Sequence, residues 1–103
     1  MIVKLKQTLT QVDVAEYDVQ IELPDGSLYR ETFTRSNAIY PAFKTLIRTL
    51  QPFKDDAIHV ETNSKPLAEE YNAARQNPNA ALLNNLKTVI ARQNLDVTVE
   101  YVA

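Results

Sequence analysis

The sequence predicts an α/β domain, a mixed five-stranded sheet with elements in the order βββαβααβ and helices mainly on one face. Three observations predict it. Five segments alternate apolar and polar side chains with a period of two, while three others place apolar residues at helical spacing. Asp25-Gly26 separates the second and third alternating segments, and such a pair marks a tight antiparallel hairpin. Every alternating segment also keeps a polar face: Lys4/Lys6, Asp18/Gln20/Glu22, Arg30/Thr32, His59/Glu61 and Asp96/Thr98/Glu100. Strands covered by helices on both sides would read as continuous apolar runs, so one sheet face is expected to lie open to water.

The first strand is expected over Ile2 to Leu9, where Val3, Leu5 and Leu9 alternate against Lys4 and Lys6. The second runs from about Val12 to Leu23, with Tyr17, Val19, Ile21 and Leu23 on its apolar face. Pro24-Asp25-Gly26-Ser27 turns the chain into the third strand, Leu28 to Arg35, which is rich in aromatic and β-branched residues. Ser36 or Asn37 can cap the first helix, whose stripe is Ile39, Phe43, Leu46, Ile47 and Leu50. Pro41 must fall in its first turn, because a proline further in would remove a helical hydrogen bond. Gln51 to Asp56 leads to a fourth strand at Ala57, where Ile58 and Val60 alternate with His59 and Glu61. Asn63 and Ser64 are good N-cap residues and Pro66 suits a first turn. The second helix carries Leu67, Tyr71 and Ala74, and Asn77-Pro78-Asn79 breaks it. The third presents Leu82, Leu83, Leu86, Val89 and Ile90 inward and ends at Asn94, a left-handed cap. Leu95 to Val102 is the last strand.

Length and composition narrow the function classes. A chain of 103 residues is expected to form one domain, residues 1–103, and ordinary hydrophobic and charged fractions argue against disorder. With no cysteine there is no thiolate ligand, cysteine nucleophile or disulfide, and with Gly26 as its one glycine the chain cannot build a glycine-rich phosphate loop. No cofactor is implied. A net charge of −2 lacks the basic excess of a phosphate-gripping domain. The charged N-terminal run and the absence of an apolar stretch of about 20 residues leave no membrane partner and make a cytoplasmic location the expectation.

The element order, the three-stranded meander, the helix around Phe43 and the strand running into Thr62-Asn63-Ser64-Lys65-Pro66-Leu67 together resemble the ribonuclease H-like fold. The resemblance implies a sheet ordered third, second, first, fourth, fifth. It also implies where chemistry would lie. Active members gather carboxylates around two divalent ions that stabilise the attacking and leaving oxygens of phosphodiester hydrolysis. The implied positions are the middle of the first strand, near Gln7; the start of the first helix, at Asn37, Ala38 and Ile39; the end of the fourth strand, at Asn63; and a helix beyond the last strand, past Ala103. None of these residues is an acid. Hard cations need clustered, charged oxygens, so the expectation is a non-catalytic domain that serves binding or assembly.

Two other readings keep named residues. Arg30, Arg35, Lys44 and Arg48 are candidates for a basic nucleic-acid-binding patch across the third strand and first helix. His59, Glu61 and Glu100 are candidates for a relocated metal site in a divergent nuclease, though they also suit a solvated face on which opposite charges alternate across strands. Ser64 is read as a cap. A protein partner, or self-association through the open face or the edge formed by the last strand, is the expected mode of interaction.

Overall fold

The computed structural model describes residues 2–34, 37–73 and 80–102. Its elements are β1 (Ile2–Asp13), β2 (Glu16–Glu22), β3 (Leu28–Thr34), α1 (Ile39–Leu50), β4 (Ala57–Thr62), α2 (Lys65–Asn72), α3 (Ala80–Arg92) and β5 (Asp96–Tyr101). The sheet runs β3-β2-β1-β4-β5. The β1–β2–β3 meander is antiparallel, and β4 pairs in parallel with β1 on one side and β5 on the other. Both the predicted element order and the predicted strand order are present.

One core holds the fold together. The sheet contributes Leu5, Ile21, Ile58, Val60, Val97 and Val99, and the helices contribute Ala42, Phe43, Leu46, Leu50, Leu67, Ala68, Leu86 and Val89. All three helices therefore cover the same sheet face. Phe43 is the largest of the fully buried side chains. Removing one such aliphatic or aromatic side chain from water stabilises the fold by roughly 1.5–3 kcal/mol, which is why the apolar parity of each strand fixes its register.

The first hairpin differs from expectation. β1 continues to Asp13 and β2 starts only at Glu16, because pairing persists through Leu9↔Val19, Thr10↔Asp18, Gln11↔Tyr17 and Asp13↔Glu16, with a register shift between Gln11 and Asp13. The turn falls on Val14-Ala15, which carry no turn signal. Neighbouring side chains supply its hydrogen bonds: the Asp13 carboxylate accepts the Val14 N–H at 2.7 Å and the Gln11 amide donates to the Val14 carbonyl at 3.2 Å. The second hairpin is as predicted. Gly26 adopts φ +87°, which only glycine takes without strain, and Asp25 accepts from both the N–H and the hydroxyl of Ser27.

The helix ends follow their local chemistry. Asn37 Oδ1 accepts the Ile39 and Tyr40 N–H groups at 3.0 and 3.4 Å, and Pro41 sits in the first turn of α1, where its missing N–H costs nothing. Ser64 caps α2 by accepting the Leu67 N–H. Asn94 takes the left-handed conformation predicted for it, with φ 53°. Beside it, the Gln93 amide donates to the carbonyls of Leu50, Gln51 and Phe53, closing the C-terminal end of α1. Arg35, Ser36, Ala74 and the Asn77-Pro78-Asn79 breaker lie outside the described residues.

The β5 edge is covered in a way the sequence does not announce. Asp96 and Val102 donate their N–H groups to Asp56 and Thr62 on the β4 side, so the backbone groups of Val97 and Val99 point to the free edge. There the Tyr71 hydroxyl donates to the Val97 carbonyl at 2.7 Å and the Asn72 amide donates to the Val99 carbonyl at 3.0 Å. Unpaired edge groups are templates for association, and α2 occupies two of them. The double variant Tyr71→Phe, Asn72→Ala is expected to self-associate more than the parent as concentration rises, as read by light scattering. Matching molar masses across the concentration series would show that these bonds do not guard the edge.

Candidate functional site

Midway along β1 and at the C-terminal end of β4, the side chains that face the helices turn polar. Leu5 and Val60 give way to Gln7 and Thr62, which remain buried. A buried polar group must find partners or cost a few kcal/mol, and these two find them in one chain of hydrogen bonds. The Ser64 N–H donates to Thr62 Oγ1 at 3.0 Å, the Thr62 hydroxyl donates to Gln7 Oε1 at 2.5 Å, and Gln7 Nε2 donates to the Ala42 carbonyl of α1 at 2.9 Å. The chain ties β1, β4, α1 and the start of α2 together.

Asn63 completes this end of the sheet. Its backbone N–H donates to the Gln7 carbonyl, and its side chain then acts as one more peptide unit of the parallel ladder. Oδ1 accepts the Leu9 N–H at 2.7 Å while Nδ2 donates to the Leu9 carbonyl at 3.0 Å. The amide supplies an acceptor and a donor side by side, where an ionised carboxylate of the same shape could only accept. Beside it lies a cavity of about 280 Å³ bordered by Lys6, Gln7, Glu61 and Asn63. The polar groups at the buried end of this cavity are neutral amides and hydroxyls already engaged with each other and with the backbone.

The open face holds the remaining candidates. His59 and Glu61 alternate with the core residues of β4, and register pairs His59 with Thr98 and Glu61 with Glu100 on β5. Thr98 Oγ1 lies 2.7 Å from His59 Nδ1, and Glu100 Oε1 lies 3.0 Å from Nε2. One ligand atom from each of His59, Glu61 and Glu100 lies within 4.8 Å of the others. On the other side of β4, Lys4 is opposite His59 and Lys6 is opposite Glu61, with Lys6 also opposite Glu22. Asp18, by contrast, is flanked by Thr10 and Thr32 and is buried beneath a bidentate Arg30 guanidinium.

The basic candidates do not converge. Arg30 stands on the open face, bound to Asp18, and this pairing raises the pKa of its guanidinium. Arg48 stands on the helix side, where it binds Glu31 on the edge strand β3. Burial pushes the Glu31 carboxyl up, but hydrogen bonds from Tyr29 and Arg48, with the charge of Lys44 nearby, hold it below its ordinary value. Lys44 belongs to this helix-side group, and Arg35 lies outside the described residues. Sequence reasoning did not anticipate that Ala42, Leu9 and Thr62 supply the partners of Gln7 and Asn63. The one available signal was a glutamine and a threonine at core parity in adjacent parallel strands.

No protein-family model matches the sequence, and no curated protein matches it. Solved structures do resemble it. The ribonuclease H1 of the halophilic archaeon Halobacterium salinarum superposes with a TM-score of 0.69 at 14% identity, over 99% of this chain and 86% of that one. A ribonuclease H1 isolated from compost, in complex with an RNA/DNA hybrid, gives 0.73 at 10% identity over 97% and 84%. The N-terminal RNase H domain of a Mycobacterium tuberculosis protein gives 0.69 at 13% identity over 98% and 81%. Identities this low speak for architecture alone, and on that ground the chain has the ribonuclease H-like fold.

Proposed function

We propose that this chain is a ribonuclease H-like domain without a catalytic site of its own, acting in binding or assembly. The observation that carries the reading is the closed hydrogen-bond chain through Gln7, Thr62 and Ala42, together with the clamp of Asn63 on Leu9. In active members of the fold, carboxylates that hold divalent ions are expected in the middle of the first strand and at the end of the fourth, where Gln7 and Asn63 stand here. Here the side chains are neutral, and two of them are committed to holding the sheet and α1 in place. Binding an ion there would require breaking bonds that stabilise the fold, with no charge gained in return.

The surface that suits binding is the open sheet face. Its side chains are polar and charged, no helix among the described residues covers it, and the β5 edge beside it is capped by Tyr71 and Asn72. The test is to incubate pure protein with a labelled RNA–DNA hybrid in Mg²⁺ or Mn²⁺. The hybrid is expected to stay intact. Cleavage that a chelator abolishes and that copurifies with the protein would overturn the proposal.

A further inference from the structure

We propose that the open face carries a transition-metal site formed by His59, Glu61 and Glu100, with Zn²⁺ as the best-matched ion. The site lies on the sheet face opposite the Gln7–Thr62 network and does not depend on the reading given for that network. Its basis is positional. Residues two apart on β4 and two apart on β5 put four side chains at the corners of one square, His59 and Glu61 against Thr98 and Glu100. Three corners offer ligands, all within 4.8 Å of one another. Donors around a single zinc, with bonds of about 2.0–2.2 Å, stand roughly 3–3.5 Å apart. The 3.0 Å between His59 Nε2 and Glu100 Oε1 already has that spacing.

The fourth corner supplies what a ligating imidazole needs. A metal-bound histidine almost always donates its other ring N–H to an oxygen, which fixes the tautomer and aims the free nitrogen. Thr98 Oγ1, 2.7 Å from Nδ1, stands where that acceptor is needed, and Nε2, which donates to the Glu100 carboxylate in the ion-free chain, would give up that proton and turn its lone pair to the ion. Register also sets Glu61 directly opposite Glu100, a like-charge pair that opposes sheet pairing unless a cation lies between. One imidazole with two carboxylates favours Zn²⁺ over Mg²⁺, which prefers oxygen ligands in an octahedral shell. Three protein ligands on an exposed face leave a coordination position for water or for a donor from a partner. Lys4 and Lys6, opposite His59 and Glu61 on β1, set the opposing field, so their removal strengthens the site.

The experiment is a ZnCl₂ titration of the full chain by calorimetry and by amide NMR. One ion per chain is expected, with shifts centred on His59, Glu61, Thr98 and Glu100. His59→Gln and Glu100→Gln each lower affinity at least tenfold, and Thr98→Val lowers it by less, while circular dichroism confirms that the variants stay folded. Lys6→Ala raises affinity. Absence of saturable binding, or binding unchanged in folded His59→Gln and Glu100→Gln proteins, would overturn the site. Hybrid cleavage by the zinc-loaded protein would contradict the proposed function and leave the metal site standing.

Discussion

Changing Gln7 to glutamate, a substitution that preserves shape, is expected to lower stability by about 2–4 kcal/mol at neutral pH. The loss has two sources. The donor to the Ala42 carbonyl disappears, leaving two oxygens face to face, and a charge enters a buried site with no cation beside it. Thr62 can still donate to the new carboxyl, which recovers part of the loss. The pH dependence has a definite sign. Burial raises the introduced carboxyl above its unfolded value of about 4.3, so between these values the folded chain holds more protons than the unfolded chain. Stability then falls as pH rises through that window. The penalty should be smallest near pH 4 and complete once the pH exceeds the folded value. Thermal melts of parent and variant across this range give the difference, at about 4–8 °C per kcal/mol for a domain of this size. A variant as stable as the parent at neutral pH would mean that the Gln7 amide is not a structural element.

Asn63→Asp is the second informative substitution, expected to cost about 1–2 kcal/mol. The carboxylate keeps an acceptor for the Leu9 N–H but turns its other oxygen toward the Leu9 carbonyl, where the amide had donated. It also adds a negative charge next in line to Glu61 on the same strand face. The site is exposed, so water relieves part of the repulsion, which is why the expected cost is below that at Gln7. Asn63→Ala removes both bonds and should expose the Leu9 amide to faster hydrogen exchange, whereas Asn63→Asp should leave that amide protected. This split between the two variants separates a ladder-extending side chain from a merely tolerated one. If Asn63→Asp were neutral or stabilising by chemical denaturation, the ladder account of this residue would be wrong.

Much of the architecture was legible because burial imposes period and parity. Val3, Leu5, Ile58, Val60, Val97 and Val99 share one sheet face, and each strand shows its opposite, polar face in the sequence. The Asp25-Gly26 hairpin and the caps at Ser64 and Asn94 were legible because each uses a residue suited to that backbone geometry. The first hairpin was not. Val14 and Ala15 carry no turn chemistry, and their hydrogen bonds come from Asp13 and Gln11, which look like ordinary strand residues. The site divided along similar lines. Strand parity placed His59, Glu61 and Glu100 on one face, and register then brought them together. Asp18 looked like open-face surface, yet Arg30 folds over it, a contact set by side-chain reach rather than alternation. The capping of β5 by Tyr71 and Asn72 was hidden for a related reason. It depends on where α2 lies against the sheet, and an apolar stripe does not encode the direction of a hydroxyl.

The most direct test of the closed amide network is NMR of the Gln7 and Asn63 side-chain NH₂ groups during a Mg²⁺ titration. Mg²⁺ is the appropriate probe because it prefers the all-oxygen ligand set of the fold's active members over a histidine site. The Gln7 and Asn63 NH₂ signals are expected to keep their positions through millimolar Mg²⁺, with the buried Gln7 NH₂ also exchanging slowly. Saturable shifts centred on Gln7, Thr62 and Asn63 would contradict it, because they would show that this strand end opens to a metal ion.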